Sequence, residues 1–127
     1  MVRGLNKVQL IGNLGRDPEL RHTAQGTAVA TLSLAVNRAR KGANGTPDEE
    51  TEWFRVVLWE RLAETAGEHL LKGQSVYVEG RLQSRRYTDR EGVERTAIEV
   101  IAHELLMLGG RKEEPSATVS IDDEIPF

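Results

Sequence analysis

The sequence predicts an all-β fold with one helix, in which five strands form a single domain that is followed by an acidic C-terminal tail. Five segments either alternate apolar and polar residues or are rich in aromatic and β-branched residues, and turn-forming residues separate them. One further segment, after the third strand, changes to helical spacing. The last part of the chain, residues 113–127, contains five acidic residues and no basic residue. We therefore expect a folded body with a chemically distinct tail.

The first two strands are predicted over residues 5–14 and 27–36. In the first, Val8 and Leu10 lie on one face, and Gly12 marks a bulge or bend. In the second, apolar residues fill the even positions, while Thr and Ser occur at odd positions. The connection between the strands contains Gly, Pro and a Gln-Gly pair, which indicate a loop, with a short extended piece expected around residues 20–21.

A long exposed hairpin loop is predicted between the second and third strands. Residues 37–50 lack hydrophobic periodicity and contain Asn44-Gly45 and Pro47; their first half is basic and their second half acidic. The third strand, residues 52–59, has the sequence EWFRVVLW, whose aromatic and β-branched residues make it the strongest strand signal in the chain.

The helix is predicted in ERLAETAGEHLL, where Leu62, Ala66 and either His69 or Leu70 fall at helical spacing, and Lys72-Gly73 forms its basic C-terminal end. Residues 74–87 and 93–108 are the fourth and fifth strands, joined by the turn TDREG. Five antiparallel strands with a helix between the third and fourth are the layout of an OB-fold barrel, which binds oligonucleotides or oligosaccharides around its second and third strands. Other small β-barrels remain an alternative.

The domain is predicted to end shortly after residue 108, where a Gly-Gly pair, the run RKEE and a proline follow. We expect an OB-fold domain over residues 1–110, a short disordered linker over 111–120 and an interaction tip over 121–127. Residues 1–112 hold all 17 basic residues and 15 of the 20 acidic ones, so the body is slightly basic although the net charge of the chain is -3. No signal peptide or membrane span is visible, which predicts a cytoplasmic protein with no membrane partner.

Enzymatic chemistry has little support in the sequence. There is no cysteine, and His22, His69 and His103 lie in unrelated segments. No phosphate loop, metal-ligand spacing or nucleophile motif is present. We therefore expect a binding protein with no catalytic residues, no cofactor and no metal.

Two tryptophans flank an arginine on one face of the third strand, because Trp53, Arg55 and Trp59 occupy alternate positions. If this face is outward, it offers platforms on which bases of any sequence can stack. Tryptophan is also a common core residue, so the pattern alone leaves both interpretations open. The opposite face already carries a complete apolar set, namely Phe54, Val56 and Leu58.

The fourth strand continues this chemistry, with Arg85 and Tyr87 on its non-core side and Arg86 near its end. Guanidinium groups pair with phosphates and stack on bases, so this face also suits a nucleic acid. Five other basic residues either extend a basic track or are ordinary solvated charges: Arg3, Lys7, Arg38, Arg40 and Lys41.

The C-terminal tip has the composition of a recognition peptide. Three acids are followed by an apolar residue, a stiffening proline and a terminal ring: Asp122, Asp123, Glu124, Ile125, Pro126 and Phe127. A pocket that captures both a ring and an α-carboxylate would bind such a peptide. A solubilising tail is the alternative, but it would not need the two hydrophobic side chains.

Several segments resemble the bacterial single-stranded-DNA-binding proteins over nearly the whole chain. They are RGLNKVQLIGNLGRDPELR, TEWFRVVLW, LAETAGEHLLKGQSVYVEGRL, SRRYTDREG and DDEIPF, in the order expected of that family. The resemblance implies an OB-fold that coats single-stranded DNA as a homotetramer, associates with the nucleoid and recruits replication, repair and recombination enzymes through the tip. It places base stacking and backbone contacts on ten residues: Trp53, Trp59 and Tyr87 for stacking, and Arg3, Lys7, Arg55, Arg61, Lys72, Arg85 and Arg86 for the backbone.

The sequence departs from the family pattern at three points. Ala39-Arg40 stands where well-known members have a further Trp, Phe54 stands where a His often lies near a subunit interface, and the linker is shorter than usual. An OB-fold RNA-binding module or a primosomal accessory protein would share the barrel. The acidic tip favours the DNA-binding protein over both alternatives.

Overall fold

The computed structural model describes residues 2–109, which form six strands and one helix. The elements are β1 (Val8–Leu14), β2 (Glu19–His22), β3 (Ala28–Lys41), β4 (Pro47–Trp59), α1 (Arg61–His69), β5 (Ser75–Thr88) and β6 (Glu94–Gly109). The five predicted strands correspond to β1, β3, β4, β5 and β6. The short extended piece predicted at residues 20–21 is β2. The predicted linker and tip lie outside the described residues.

Five of the strands close into a barrel. Their order is β1, β5, β6, β4, β3, and β1 pairs again with β3 to complete the ring. All neighbours in the ring are antiparallel except β4 and β6, which are parallel. With the helix between β4 and β5, this topology confirms the predicted OB-fold. β2 adds a sixth strand, which pairs with the start of β3.

The barrel closes at Gly12, where β1 passes from β5 to β3. Gly12 pairs with Val76 of β5, and the next residue, Asn13, also pairs with Ala35 of β3. A Cβ atom at Gly12 would lie 2.5 Å from the carbonyl oxygen of Ala35. Glycine is therefore required here for the close approach of two backbones, which is the physical reason for the bend predicted from the sequence.

Alternating side chains fill the barrel interior. The even positions of β3 from Ala28 to Leu34 are buried, as the sequence pattern predicts. The core also contains residues of the other strands and of α1, and Leu70 just after the helix: Leu14, Val56, Leu58, Ala63, Ala66, Leu70, Val76, Val78, Val100 and Ala102. In the described part of the chain, no helix is long and apolar enough to cross a membrane.

The prediction of a loop over residues 37–50 is wrong for most of this segment. β3 continues to Lys41 and β4 begins at Pro47, so only residues 42–46 form the turn of a projecting two-stranded ribbon. The ribbon is mostly exposed on both faces, and no apolar alternation marks it in the sequence. Cross-strand pairs stabilise it instead, including the hydrogen bond from Arg38 to Glu50.

The helix is shorter than predicted and ends at His69. Leu70 has an extended backbone, with φ −95° and ψ 143°, and its side chain is buried in the core. Gly73 does not end the helix but adopts a φ of 91° in the turn that leads into β5. Burial of Leu70 therefore takes precedence over continuing the helix to Lys72.

Candidate nucleic-acid interface

The outer face of β4 carries the two tryptophans. Trp53 is 60% exposed and Trp59 is 44% exposed, whereas Val56 and Leu58, which point to the other face, are fully buried. The sequence left open whether the tryptophans lie in the core or on the outer face, and in the structure they lie on the outer face. The tryptophans are available on the surface because the opposite face of the strand already fills the barrel.

A groove of about 260 Å³ runs across the outer surface of β2, β3, β4, β5 and β6. Its apolar lining includes Val29, Val57 and Ile101, and Trp59 forms part of its wall. Three guanidinium groups also line it, those of Arg21, Arg55 and Arg85. We call this site the groove. It combines an aromatic ring, an apolar surface and positive charge, which is the composition that proteins use to bind single-stranded nucleic acids.

A buried carboxylate joins two of these arginines. The Glu99 side chain is 5% exposed, and its Oε2 accepts hydrogen bonds from Arg55 Nε at 2.8 Å and from Arg85 Nε and NH2 at 3.1 and 3.0 Å. The Arg85 guanidinium carbon also lies 5.6 Å from the centre of the Tyr87 ring, within cation–π range. Glu99 of β6 thus joins Arg55 of β4 to Arg85 of β5.

Trp53 lies beyond the groove, against the chain that follows β1. A Cβ atom at Gly15 would lie 2.5 Å from Trp53 Cζ3 and 2.7 Å from Cη2, so the indole ring rests directly on this glycine. Gly15 is held in turn by a backbone hydrogen bond to the carbonyl of Ser33, at 2.9 Å. The small residue Ala35 stands opposite Trp53 on β3. The ring can occupy this position only because Gly15 has no side chain.

The two arginines of the ribbon are paired with acids on its other strand. Arg38 lies 2.9 Å from Glu50, and Arg40 lies 3.8 Å from Asp48 and 3.9 Å from Glu50. Lys41, at the end of β3, stands opposite Pro47. The basic and acidic halves noted in the sequence thus face each other, and they largely cancel the charge of the ribbon.

The other predicted basic residues lie outside the groove. Arg86, on β5, pairs with Glu94 at 3.8 Å. Arg3 precedes β1, and Arg61 is the first residue of α1. Lys72 lies in the turn after the helix, where its backbone N–H donates to Asp17.

Lys7 belongs to a different cluster, on the outer face of β1, β5 and β6. Its Nζ lies 3.4 Å from Glu79, which also accepts a 2.6 Å hydrogen bond from the Tyr77 hydroxyl and lies 3.1 Å from His103. These donors, above all Tyr77, lower the pKa of Glu79 from its usual 4.5 to about 2. Gln9 donates to the Tyr77 hydroxyl at 3.0 Å. The family resemblance implies a DNA-backbone role for Lys7, and the structure places its side chain in this network.

Two charged residues of the groove were not identified as site residues from the sequence. Arg21 enters through the pairing of β2 with β3, which sets it opposite Val29. Glu99 enters through the position of β6 between β4 and β5. A signal for Glu99 exists, since it is the single charged residue in the run AIEVIA of residues 97–102. A carboxylate within such a run needs partners if it is buried.

Comparison with known proteins gives a consistent result. Residues 5–108 match the model of the "Single-strand binding protein family". A "Single-stranded DNA-binding protein" of Xanthomonas axonopodis pv. citri (strain 306) is 50% identical over 113 residues, which cover 89% of this chain and 63% of that protein. A "Single-stranded DNA-binding protein" of Neisseria meningitidis serogroup A is 50% identical over 109 residues, which cover 86% of this chain and 63% of that protein. This chain thus spans less than two thirds of the length of these relatives.

Among solved structures, the one described as "Plasmodium falciparum SSB complex with ssDNA" superposes with a TM-score of 0.78 at 30% identity. The superposition covers 85% of this chain and 98% of the other. The family is named for a binding activity, in agreement with the expectation that the chain is not an enzyme.

Proposed function

The chain belongs to the single-strand binding protein family, and from this premise we propose that it binds single-stranded DNA in the groove without sequence preference. The observation that carries the proposal is the combination in one outward surface of Trp59, Arg55 and Arg85. Trp53 and Tyr87 extend this surface beyond the groove. Aromatic platforms accept every base, because each base has a π-face, and the arginines pair with the phosphates between bases.

Stacking supplies a large share of the proposed affinity. Each base stacked on an aromatic ring contributes about 1–3 kcal/mol. The two ribbon arginines are paired with acids, so their contribution to counterion release is small unless those pairs open. Affinity should therefore fall with salt less steeply than the number of basic residues would suggest.

A fluorescence titration with oligo-dT tests the proposal. Both tryptophans of the chain lie on the proposed binding surface, so saturation should strongly quench their emission. Trp59→Phe, which keeps a ring, should retain more affinity than Trp59→Ala. Absence of quenching and of binding at low salt would refute the proposal. Tighter binding of poly-U than of oligo-dT at matched salt would favour the RNA-binding alternative.

We further propose that the DNA-binding domain spans residues 1–110 and that the tip, residues 121–127, recruits replication, repair and recombination proteins. The acidic and hydrophobic composition of the tip supports this division. A protein of this kind would work in the cytoplasm, associated with the nucleoid. Phe127→Ala should leave the affinity for oligo-dT unchanged and weaken the capture of enzymes of those three classes. Equal capture by both proteins would refute the role of the tip.

We also propose assembly as a homotetramer. One barrel presents few stacking residues, and several protomers along one strand gain affinity through effective concentration. The face of β1, β5 and β6 suits a subunit contact, because Ile11 and Leu106 are exposed there next to Tyr77. Mass measurement in solution, with and without oligo-dT, tests this. A monomer in both states would refute it.

A further inference from the structure

We propose that Glu99 is a positioning residue for DNA binding: it fixes the guanidinium groups of Arg55 and Arg85 before a strand arrives, and it makes the affinity less dependent on salt. This inference rests on the proposed function of the groove. Glu99 itself lies beneath the arginines, with its side chain 5% exposed, and is therefore not proposed to contact DNA.

The strand order explains how one carboxylate reaches both arginines. β6 lies between β4 and β5, and Glu99 stands opposite Gln83 on β5 while the next residue, Val100, pairs with Val56 on β4. Its Oε2 accepts from Arg55 at 2.8 Å and from two nitrogens of Arg85 at 3.0 and 3.1 Å. Each arginine side chain is still nearly half exposed, so further N–H groups of each fork remain accessible from the groove.

Glu99 depends on this contact more than Arg55 and Arg85 do. A buried carboxylate requires charged or hydrogen-bonding partners, whereas a half-exposed guanidinium is already solvated. The arginines therefore do not need Glu99 in order to be stable on the surface. What Glu99 gives them is a fixed geometry. A long side chain that is already immobilised loses less entropy when the ligand binds.

Glu99 has an opposite effect through its charge. One carboxylate offsets one of the two guanidinium charges, so the pair should release fewer counterions from DNA than two free arginines would. Replacing Glu99 by the neutral, similarly shaped glutamine should thus have two consequences. The electrostatic attraction should rise, and the advantage of the fixed geometry should be lost. The first effect weakens with salt, and the second persists.

The experiment measures the affinity for oligo-dT over a salt series for the full chain and for Glu99→Gln. We expect the slope of log affinity against log salt to become steeper by about 0.7, the value for one further phosphate contact on a single strand. At the high-salt end we expect affinity to fall by about 2-fold to 13-fold, from the cost of immobilising one long side chain on binding. Glu68→Gln, which makes the same charge change on the exposed surface of α1, should follow the unmodified chain.

A second variant separates geometry from charge. Arg85→Lys keeps the charge but lacks the planar fork, so it should lose affinity at high salt with an unchanged slope. Combined with Glu99→Gln, its loss at high salt should be smaller than the sum of the two single losses. Additive losses, or a Glu99→Gln slope equal to that of the unmodified chain, would overturn the inference. If Glu99→Gln fails to fold, unchanged high-salt affinity in Arg85→Lys overturns it. Failure of the unmodified chain to bind oligo-dT would instead refute the proposed function.

Discussion

Substitution of Gly15 by alanine should weaken DNA binding, although it replaces no residue that is proposed to contact DNA. The new methyl group would lie 2.5 Å from Trp53 Cζ3, a distance at which the ring must move. The φ of Gly15 lies outside the left-handed region, so alanine fits the backbone. The ring is 60% exposed and can shift into solvent. The folded state should therefore lose little stability while Trp53 leaves its present position.

The size of the effect follows from what Trp53 contributes. If the ring stacks on one base, displacing it removes up to about 1–3 kcal/mol, which corresponds to a loss of affinity between about 5-fold and 150-fold. Trp53→Ala sets the upper limit, and Gly15→Ala should approach it. The assay is an anisotropy titration with labelled oligo-dT at fixed salt. Urea unfolding of the same samples checks that the midpoint changes little.

A double-mutant cycle decides whether the effect acts through the ring. In the Trp53→Ala background, Gly15→Ala has no ring to displace and should change affinity by less than about 2-fold, near the limit of additivity for independent sites. If Gly15→Ala weakens binding by the same factor with and without Trp53, the loss comes from the backbone near Gly15. That result would show that displacement of the Trp53 ring does not cause the loss.

Three further predictions concern stability and charge. Gly80→Ala should lower the free energy of unfolding by about 1–3 kcal/mol or more, because a methyl group there overlaps the backbone of β6. The urea m-value should stay unchanged, and an unchanged midpoint of unfolding would contradict the prediction. Glu79 has a depressed pKa of about 2, so it stabilises the fold above its usual 4.5 and loses that contribution as the pH falls towards 2. Tyr77→Phe removes the main hydrogen-bond donor to Glu79 and should make the free energy of unfolding less dependent on pH between 4.5 and about 2. A substitution outside the cluster should leave this pH dependence unchanged. Glu50→Gln frees Arg38 and should steepen the salt dependence of oligo-dT binding; an unchanged slope would exclude the ribbon from the binding site.

The parts of the fold that were predictable from sequence are those with water on one side and the core on the other. In β3, alternate residues face these two environments, and burial imposes a period of two on the sequence. The ribbon beyond the barrel has no such asymmetry, since nearly all of its side chains are exposed. Its strands are held by cross-strand pairs such as Arg38 with Glu50. A pattern search for apolar alternation therefore misses them.

The residues of the candidate site also divide into those that local sequence patterns predict and those that they do not. Trp53, Arg55 and Trp59 were identified because they share one face of one strand, a relation fixed by local geometry. Glu99 was missed because its contact with Arg55 spans 44 residues and depends on β6 lying beside β4. Arg21 depends similarly on the pairing of β2. Contacts between distant strands follow from topology, which local periodicity does not specify.

The positions of the acids decide how strongly several of the basic residues in the described part of the chain can attract a phosphate backbone. Arg86, Lys7 and the ribbon arginines each lie beside a carboxylate on a neighbouring strand. In the groove, two guanidinium groups share the single carboxylate of Glu99, so positive charge exceeds negative charge at that contact. Exposed ion pairs are weak and can open, whereas the excess charge in the groove is present before binding. A strand should therefore engage the groove before the two ribbon arginines, which contribute only as their pairs open.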